Sequence, residues 1–296
     1  MKQMINGWLI IDKPEGMSSA QVVGKVKRLF NVKKVGHGGT LDPLATGVLP
    51  IALGEATKAL SYILDGTKAY RFEIKWGEAR STEDREGEIT ATSPHRPQRQ
   101  EIEDVLPLFT GMIEQVPPAY SALKVNGKRA YTLAREGQDV ILPPRKLEIY
   151  SLTLLDTSPH SAIFEVVCSK GTYVRSLARD IALHLGTCGH VISLRRTAAG
   201  PFHEKNAILL ATFADIGHKT ELINYVLPLQ DALADILALE IEDIDGAKFR
   251  QGRTVFSSYT TEEKPVLILC RGVPLGFAKV SEGHIVPLRV FNIKME

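Results

Sequence analysis

A lone carboxylate, Asp42, lies in the stretch VGHGGTLDPLATGVLP, which runs from Val35 to Pro50. Glycines in such a loop let the backbone approach a ligand closely, and prolines limit the freedom of the carboxylate. An ionised carboxylate can attack a substrate as a nucleophile or remove a proton from it. The ordinary alternative is a structural Asp-Pro turn, in which the side chain bonds its own backbone.

The sequence lacks the motifs of several common enzyme classes. It contains no GxGxxG after a predicted strand, no GxxxxGKS/T loop, no HExxH and no GxSxG. The eight histidines are scattered, and Cys168, Cys188 and Cys270 form no CxxC pair. These patterns predict no metal site, no disulfide framework and no cofactor. An enzyme with this sequence would therefore use its own side chains.

The length of 296 residues, with 44% hydrophobic and 24% charged residues, fits one large domain plus a small one. No apolar run approaches the roughly 18 residues that a membrane helix needs. The first apolar run ends at Asp12, which is too early for a signal peptide. We therefore expect a cytoplasmic protein that makes no contact with membranes.

The net charge of +2 conceals an uneven distribution along the chain. Residues 1–60 carry eight Lys or Arg against four Asp or Glu, whereas residues 206–245 carry one against eight. Such blocks favour a localised face that binds a polyanion. Solvated surface charge is the alternative for any single block.

Hydrophobic periodicity predicts the elements that must position Asp42. Residues 7–12 form a short apolar run typical of a buried strand, and Ser18 or Ser19 can cap the helix that follows. Strict alternation in YRFEIKW, residues 70–76, predicts a strand with one buried face. Apolar residues at helical spacing predict a helix over residues 172–185.

The composition of the sequence changes near Gly246. The acidic block at 206–245 is predicted to be largely helical, whereas the following residues form short apolar runs broken by Gly and Pro. We therefore predict a catalytic domain over residues 1–240 and a small β-rich module over 246–296. Strands and helices alternate without a regular βαβ order, which favours an α+β fold.

Several segments, in order, resemble the bacterial TruB-type tRNA pseudouridine synthases. They are DKPEGMSS (12–19), GHGGTLDPLATGVLP (36–50), AYRFEIKWG (69–77) with STEDREG (81–87), VPPAYSALKVNGKRAY (116–131), and KGTYVRSLARD (170–180) with VISLRR (191–196). The resemblance implies the pseudouridine synthase fold, a mixed and largely antiparallel sheet flanked by helices. It also implies that the C-terminal module is a PUA-like RNA-binding domain.

The resemblance implies that the protein isomerises uridine 55 in the T loop of tRNA to pseudouridine, without a cofactor or metal. Asp42 matches the family's catalytic aspartate. Arg175 matches the arginine that follows the Gly-Thr-Tyr motif, and a guanidinium beside Asp42 would favour the charged carboxylate. Tyr70 matches the tyrosine that stacks on the flipped uracil. Without the resemblance, Tyr70 would be read as a core aromatic and Arg175 as a phosphate contact or surface residue.

Further residues are implied to bind the substrate. Tyr173 would shape the pocket, Leu194 would contact the base, and His37 would insert near the extruded T-loop bases. Asp84 matches an acid beside the active-site tyrosine. Three of them have a plainer alternative: Leu194 as sheet core, His37 as a satisfied loop residue and Asp84 as loop surface.

A basic excursion over residues 121–148 is predicted to clamp the RNA. Lys128 and Arg129 are its candidate phosphate contacts, with a solvated charged loop as the alternative. Arg195 and Arg196 are expected to extend this basic rim. We expect the RNA to be recognised by shape, phosphates and unstacked loop bases.

Three hypotheses on function remain open at this stage. The first is a stand-alone enzyme, expected to act as a monomer on the T-arm of tRNA without a guide RNA. The second is a guide-dependent synthase for ribosomal RNA, which is disfavoured because no Lys-rich extension follows residue 290. The third is a non-catalytic RNA chaperone or binding module, which the joint presence of Asp42, Tyr70 and Arg175 disfavours. The order of chemical steps stays open, because sugar attack, base addition and a glycal route all use one carboxylate.

Overall fold

The computed structural model describes residues 5–125, 127–214, 222–234, 236–259 and 264–293. Among them, ten strands form one mixed sheet, and five others form a second sheet near the C-terminus. The α+β prediction is therefore confirmed. None of the helices in these residues is long and apolar enough to cross a membrane.

The main sheet has the strand order β14-β1-β3-β12-β4-β11-β10-β7, with β2 beside β3 and β13 beside β12. Its pairings are antiparallel except for β1 with β14 and β3 with β12. The second sheet has the order β15-β17-β18-β19-β16, and two hairpins, β5-β6 and β8-β9, stand apart. The strands are β1 Gly7–Lys13, β2 Val35–His37, β3 Thr46–Leu53, β4 Lys68–Trp76, β5 Glu78–Arg80, β6 Ile89–Thr92, β7 Gly111–Gln115, β8 Lys124–Val125, β9 Lys128–Arg129, β10 Arg145–Thr157, β11 Ser161–Cys168, β12 Gly189–Ala199, β13 Phe202–His203, β14 Ile208–Leu209, β15 Ala238–Glu240, β16 Val255–Phe256, β17 Val266–Cys270, β18 Val273–Ser281 and β19 His284–Val290.

Helices flank the main sheet and connect its strands. The first begins where the sequence predicts, because the Ser18 hydroxyl accepts from the backbone of Gln21 while the Gln21 side chain accepts from the backbone of Ser18. It ends at Phe30 and is capped by Asn31, which adopts a left-handed conformation with φ 49°. The α-helices whose bounds lie within the described residues are α1 Ser19–Phe30, α2 Leu60–Asp65, α3 Arg99–Val105, α4 Ala130–Arg135, α5 Val174–His184 and α6 Asp243–Arg250.

The acidic block differs from the helical prediction. Its described residues include short 3-10 helices, such as Leu229–Ala232, the strands β14 and β15, and the start of helix α6 at Asp243. Tertiary hydrogen bonds decide this, because Trp8 pairs its backbone with Leu227 and donates its indole N–H to the carbonyl of Leu229 at 3.0 Å. Residues 215–221 and 235 of the block lie outside the described residues.

The C-terminal sheet begins before the predicted boundary. Strand β15, Ala238–Glu240, pairs in parallel with β17, and Gly246 lies inside helix α6. The change in composition at Gly246 thus marks the end of the acidic block, whereas strand pairing places residues 238–240 with the C-terminal sheet.

Candidate active site

The loop that carries Asp42 connects β2 to β3 and is fixed at several points. The Ser19 hydroxyl at the start of α1 accepts from the backbone N–H of Leu41 at 2.8 Å and donates to its carbonyl at 3.1 Å. The carbonyl of Asp42 accepts from the backbone N–H of Ala45 at 3.1 Å, which closes a turn. Both backbone groups of the residue before Asp42 are therefore held by one buried side chain.

A buried lysine holds the other side of this loop. Lys13 is fully buried, and its ammonium donates to the carbonyls of Pro14, Met17 and Pro43 at 2.8, 2.6 and 3.2 Å. Burial lowers the pKa of Lys13 to about 8, against the opposing attraction of Asp42. No local pattern marks Lys13 as buried, because a lysine in a Lys-Pro turn is usually exposed.

Arg175 joins two carboxylates at the start of α5. Its Nε lies 3.0 Å from Oδ2 of Asp42 and 3.6 Å from Oδ2 of Asp84. Its remaining nitrogens donate to the carbonyls of Thr82 at 2.8 Å and Tyr120 at 3.0 Å. The side chains of Arg175 and Asp84 are 6% and 4% exposed, whereas that of Asp42 is 36% exposed. Asp42 is thus the carboxylate of this group that can reach a ligand.

The start of α5 is itself clamped to the sheet. The buried side chain of Gln115 on β7 accepts from the backbone N–H of Tyr173 at 2.9 Å and donates to its carbonyl at 3.1 Å. Because Arg175 follows two residues later, this clamp fixes the point from which its side chain extends. Burial also raises the pKa of the Tyr173 phenol.

Strands β4 and β12 supply the opposite wall. Tyr70 on β4 lies beside Arg196 on β12, and Phe72 lies beside Leu194. Burial raises the pKa of the Tyr70 phenol, although the nearby Arg196 guanidinium opposes this shift. Leu194 is buried.

These walls enclose a cavity of about 630 Å³. Six of the predicted residues line it: Asp42, Tyr70, Asp84, Tyr173, Arg175 and Leu194. Residues that were not predicted as site residues also line it, including Lys68, Tyr120 and Tyr131, together with Arg135 of the basic excursion and Arg196. Among the described residues, no three His, Cys, Asp or Glu side chains are grouped closely enough to hold a metal ion.

Three predicted binding residues lie outside the cavity wall. His37 ends β2, and burial lowers the pKa of its imidazole. Lys128 and Arg129 are exposed on β9, where the Arg129 guanidinium donates to the carbonyl of Ala122.

Helix α4, which follows Arg129, brings Tyr131 and Arg135 to the cavity instead. The Arg135 guanidinium lies 5.6 Å from the centre of the Tyr131 ring, which is a cation–π distance. Their spacing of four residues on a helix was the signal in the sequence that places them on one face.

The predicted basic rim at Arg195 and Arg196 is wrong. Arg195 forms a paired contact with both oxygens of Asp12, at 3.0 and 2.9 Å, and a third with Glu204 at 2.8 Å. Arg196 is only 1% exposed. Adjacent residues on a strand point to opposite faces, and here one face is paired with acids while the other is packed against the Asp42 loop.

Comparison with known proteins identifies the family. Residues 27–174 match the TruB family pseudouridylate synthase N-terminal domain, and residues 175–234 match the tRNA pseudouridylate synthase B C-terminal domain. The chain is 50% identical to tRNA pseudouridine synthase B of Rhodospirillum rubrum, with 98% of each chain covered. It is 48% identical to the protein of the same name from Bradyrhizobium diazoefficiens, with 98% of this chain and 86% of the relative covered.

Solved structures show the same fold. A chain in the crystal structure of a Cbf5-Nop10-Gar1 complex superposes with a TM-score of 0.74 at 26% identity, covering 96% of this chain and 83% of that one. A chain of an H/ACA RNP bound to a substrate RNA containing 2′-deoxyuridine gives a TM-score of 0.73 at 24% identity, covering 96% of this chain and 84% of that one. The fold is therefore that of the pseudouridine synthases, and the C-terminal sheet fits a PUA-like domain.

Proposed function

Because the chain belongs to the TruB family of pseudouridylate synthases, we propose that it isomerises uridine 55 in the T loop of tRNA to pseudouridine, with Asp42 as the acting carboxylate. The relatives at 50% and 48% identity are named tRNA pseudouridine synthase B, which supports tRNA as the substrate. The proposed location in the cell is the cytoplasm, and the proposed active form is a monomer.

One observation carries the proposal. Asp42 exposes its carboxylate to a cavity of about 630 Å³ while a buried guanidinium holds its Oδ2 at 3.0 Å. That volume falls within the range of about 300–1,000 Å³ typical of small-molecule sites. The guanidinium places a positive charge beside this carboxylate, and preorganised donors of this kind need no rearrangement during the reaction.

The chemistry requires no redox partner. The bond between N1 of uracil and C1′ of the ribose breaks, the base turns, and a bond forms between C5 and C1′. The proton on C5 leaves and N1 gains one, so that substrate and product are isomers. A single carboxylate can assist either as nucleophile or as general base, and Asp42 is the candidate for either role.

The cavity wall suits a flipped base. The uridine must leave its stack in the folded tRNA, at a cost of a few kcal/mol. Aromatic rings on the wall, with Tyr70 as the principal one, replace that stacking, which is worth about 1–3 kcal/mol per base. We assign Tyr173 and Leu194 to the shape of the pocket and Asp84 to holding Arg175.

The remaining predicted residues are assigned to RNA outside the cavity. Lys128 and Arg129 stand on an exposed hairpin and are proposed to contact phosphates. His37 is proposed to approach the bases next to the flipped uridine. The C-terminal sheet is proposed to contribute affinity and orientation on the T-arm.

The test is incubation of the purified protein with an unmodified tRNA transcript, in the absence of guide RNA and cofactors, followed by mapping of pseudouridine by nucleotide. Pseudouridine at position 55 alone is the expected result, and a transcript with cytidine at that position is the control. Modification at another position would refute the choice of uridine 55. Activity only after a guide RNA is added would favour the guide-dependent alternative.

A further inference from the structure

Arg196 is a buried cation for which the proposed chemistry has no direct use. Its side chain is 1% exposed, and among the described residues no carboxylate lies within 4.0 Å of its guanidinium. Burial of a charge without an ionic partner is costly unless hydrogen bonds replace the lost water. Its hydrogen-bond partners therefore indicate what the residue does.

Those partners belong to both ends of the Asp42 loop. Nε of Arg196 donates to the carbonyl of Val48 at 2.7 Å, and one terminal nitrogen donates to the carbonyl of Gly39 at 3.1 Å. Gly39 precedes Asp42 by three residues and Val48 follows it by six. One planar guanidinium thus links the backbone on both sides of Asp42, and its fixed geometry suits this double contact.

The same guanidinium reaches Tyr70. Strand β12 lies between β3 and β4, and Arg196 pairs with Gly47 on one side and Tyr70 on the other. Its guanidinium is also close enough to the Tyr70 phenol to oppose the rise that burial causes in the phenol's pKa.

Two glycines make this close approach possible. A Cβ at Gly39, which has φ +120°, would lie 3.3 Å from a terminal nitrogen of Arg196. A Cβ at Gly47, which has φ +97°, would lie 2.2 Å from the Arg196 carbonyl oxygen. The register of β12 against β4 also shifts directly after Arg196, and such bulges redirect side chains near active sites.

We propose that Arg196 is a positioning residue that fixes the Asp42 loop and the Tyr70 phenol relative to each other, so that both face the same base. The inference rests on the proposed function, because it assigns Arg196 to the geometry of that site. In this role Arg196 acts through Asp42 and Tyr70.

The first test compares Arg196→Met, Arg196→Lys and the wild type in single-turnover pseudouridine formation at saturating tRNA, together with tRNA affinity. We expect the Met variant to lose about 100-fold in rate, the scale of a displacement of roughly 1 Å in an active site. Its Kd should stay within about threefold, a change of less than about 1 kcal/mol. The Lys variant keeps the positive charge and can keep one hydrogen bond to the loop. Its rate should therefore lie between those of the wild type and the Met variant.

Arg71→Met is the matched control. Arg71 is adjacent to Tyr70 on β4, but its side chain is 49% exposed and its partner Glu165 lies 3.8 Å away. Its saturating rate should match the wild type. A wild-type rate in Arg196→Met, or a loss confined to Kd, would overturn the positioning role.

Two further measurements separate positioning from general destabilisation. Amide exchange over residues 36–50 should accelerate in Arg196→Lys and stay unchanged in Arg71→Met, whereas faster exchange throughout the chain would overturn the inference. The double variant Arg196→Lys/Tyr70→Phe should lose less than the product of the two single losses, because Arg196 is proposed to act in part through the Tyr70 phenol; independent effects would overturn the inference. If the wild type forms no pseudouridine, the proposed function fails. The exchange experiment then still tests whether Arg196 holds the Asp42 loop in place.

Discussion

At the residue scale, the candidate site contains two carboxylates, Asp42 and Asp84, and one guanidinium, that of Arg175, and these side chains differ in their exposure to solvent. Asp84 is buried and also accepts from the Thr82 hydroxyl at 2.5 Å and from the backbone N–H of Glu86 at 3.0 Å. Arg175 has its nitrogens engaged by Asp42, Asp84 and two carbonyls. Substitution of Asp42 therefore changes the exposed member of the group while the buried members keep their other partners.

We predict that Asp42→Asn abolishes pseudouridine formation while tRNA affinity stays within about tenfold, or 1.4 kcal/mol. The amide nearly conserves the shape of the carboxylate but removes its negative charge, and the proposed phosphate contacts lie on other elements. Pseudouridine mapping and a binding titration on the same preparation check both parts. Substantial turnover by this variant would remove Asp42 from the proposed role.

Lys13 predicts a specific pH dependence of stability. Burial lowers its pKa from 10.5 to about 8, so between these values the unfolded chain holds a proton that the folded chain has released. The free energy of unfolding contributed by this residue therefore rises with pH across that window.

Wild type and Lys13→Met should therefore differ in the pH dependence of unfolding. Between pH 7.5 and 9.5 the wild type should gain about 1–2 kcal/mol relative to the variant, measured by urea unfolding at both values. If the free energy of unfolding of the wild type, relative to that of the variant, stays constant or falls with rising pH, burial does not destabilise the ammonium.

At the element scale, the segment from β8 to α4 has two faces with different expected roles. Its hairpin exposes Lys128 and Arg129, whereas α4 turns Tyr131 and Arg135 toward the cavity. Charge on the hairpin and an aromatic ring on the helix should affect binding in different ways, because only charged contacts release counterions from the RNA.

We predict that Lys128→Ala/Arg129→Ala weakens binding of all tRNAs alike and flattens the salt dependence. Each lost phosphate contact should remove about 0.7–0.9 from the slope of log affinity against log salt. Tyr131→Leu, the comparison variant on the same segment, should lower the modification rate without changing the slope. Identical slopes for the double variant and the wild type would exclude both residues as phosphate contacts.

At the scale of the whole molecule, the C-terminal sheet is joined to the main sheet by polar and aromatic contacts. Glu55 accepts from the Lys58 ammonium at 2.6 Å and from the backbone N–H of Asn292 at 2.8 Å, and Lys58 also donates to the carbonyl of Val290 at 2.6 Å. Tyr62 stacks on Phe277 with ring centres 4.2 Å apart. Because Phe277 and Phe291 share an apolar cluster with Trp8, deletion of the C-terminal sheet would expose core of the main sheet.

A milder change is therefore the better test of what the C-terminal sheet contributes. We predict that Glu55→Gln weakens tRNA binding by about three- to tenfold, or 0.7–1.4 kcal/mol, while the single-turnover rate at saturating tRNA stays unchanged. The variant loses charge at the junction but touches none of the cavity residues. A reduced saturating rate at unchanged affinity would contradict the proposed division of roles.

The same carboxylate gives the junction a pH dependence. Burial opposes ionisation of Glu55, but the hydrogen bonds from Asn292 and Lys58 and the adjacent cations together hold its pKa below the usual 4.5. Stability from this group is present above pH 4.5 and is lost as the pH falls through the lowered pKa.

The sequence by itself determined the local elements and the central residues of the site. The alternation from Tyr70 to Trp76 predicted a strand, and the capping pattern at Ser18 predicted the start of α1, because both depend on interactions between neighbours in the chain. The tight loop around Asp42 and the motif ending at Arg175 indicated residues that the fold brings within 3.0 Å.

Only the tertiary structure decided which charged side chains are buried. Lys13 and Arg196 look like surface residues in sequence, but carbonyl oxygens from other parts of the chain replace their water. Likewise, Ala238–Glu240 joined the C-terminal sheet because β17 offered it a parallel partner. The physical reason is common to all three: the free energy of burying a charge or pairing a strand depends on partners far away in sequence, which no local pattern contains.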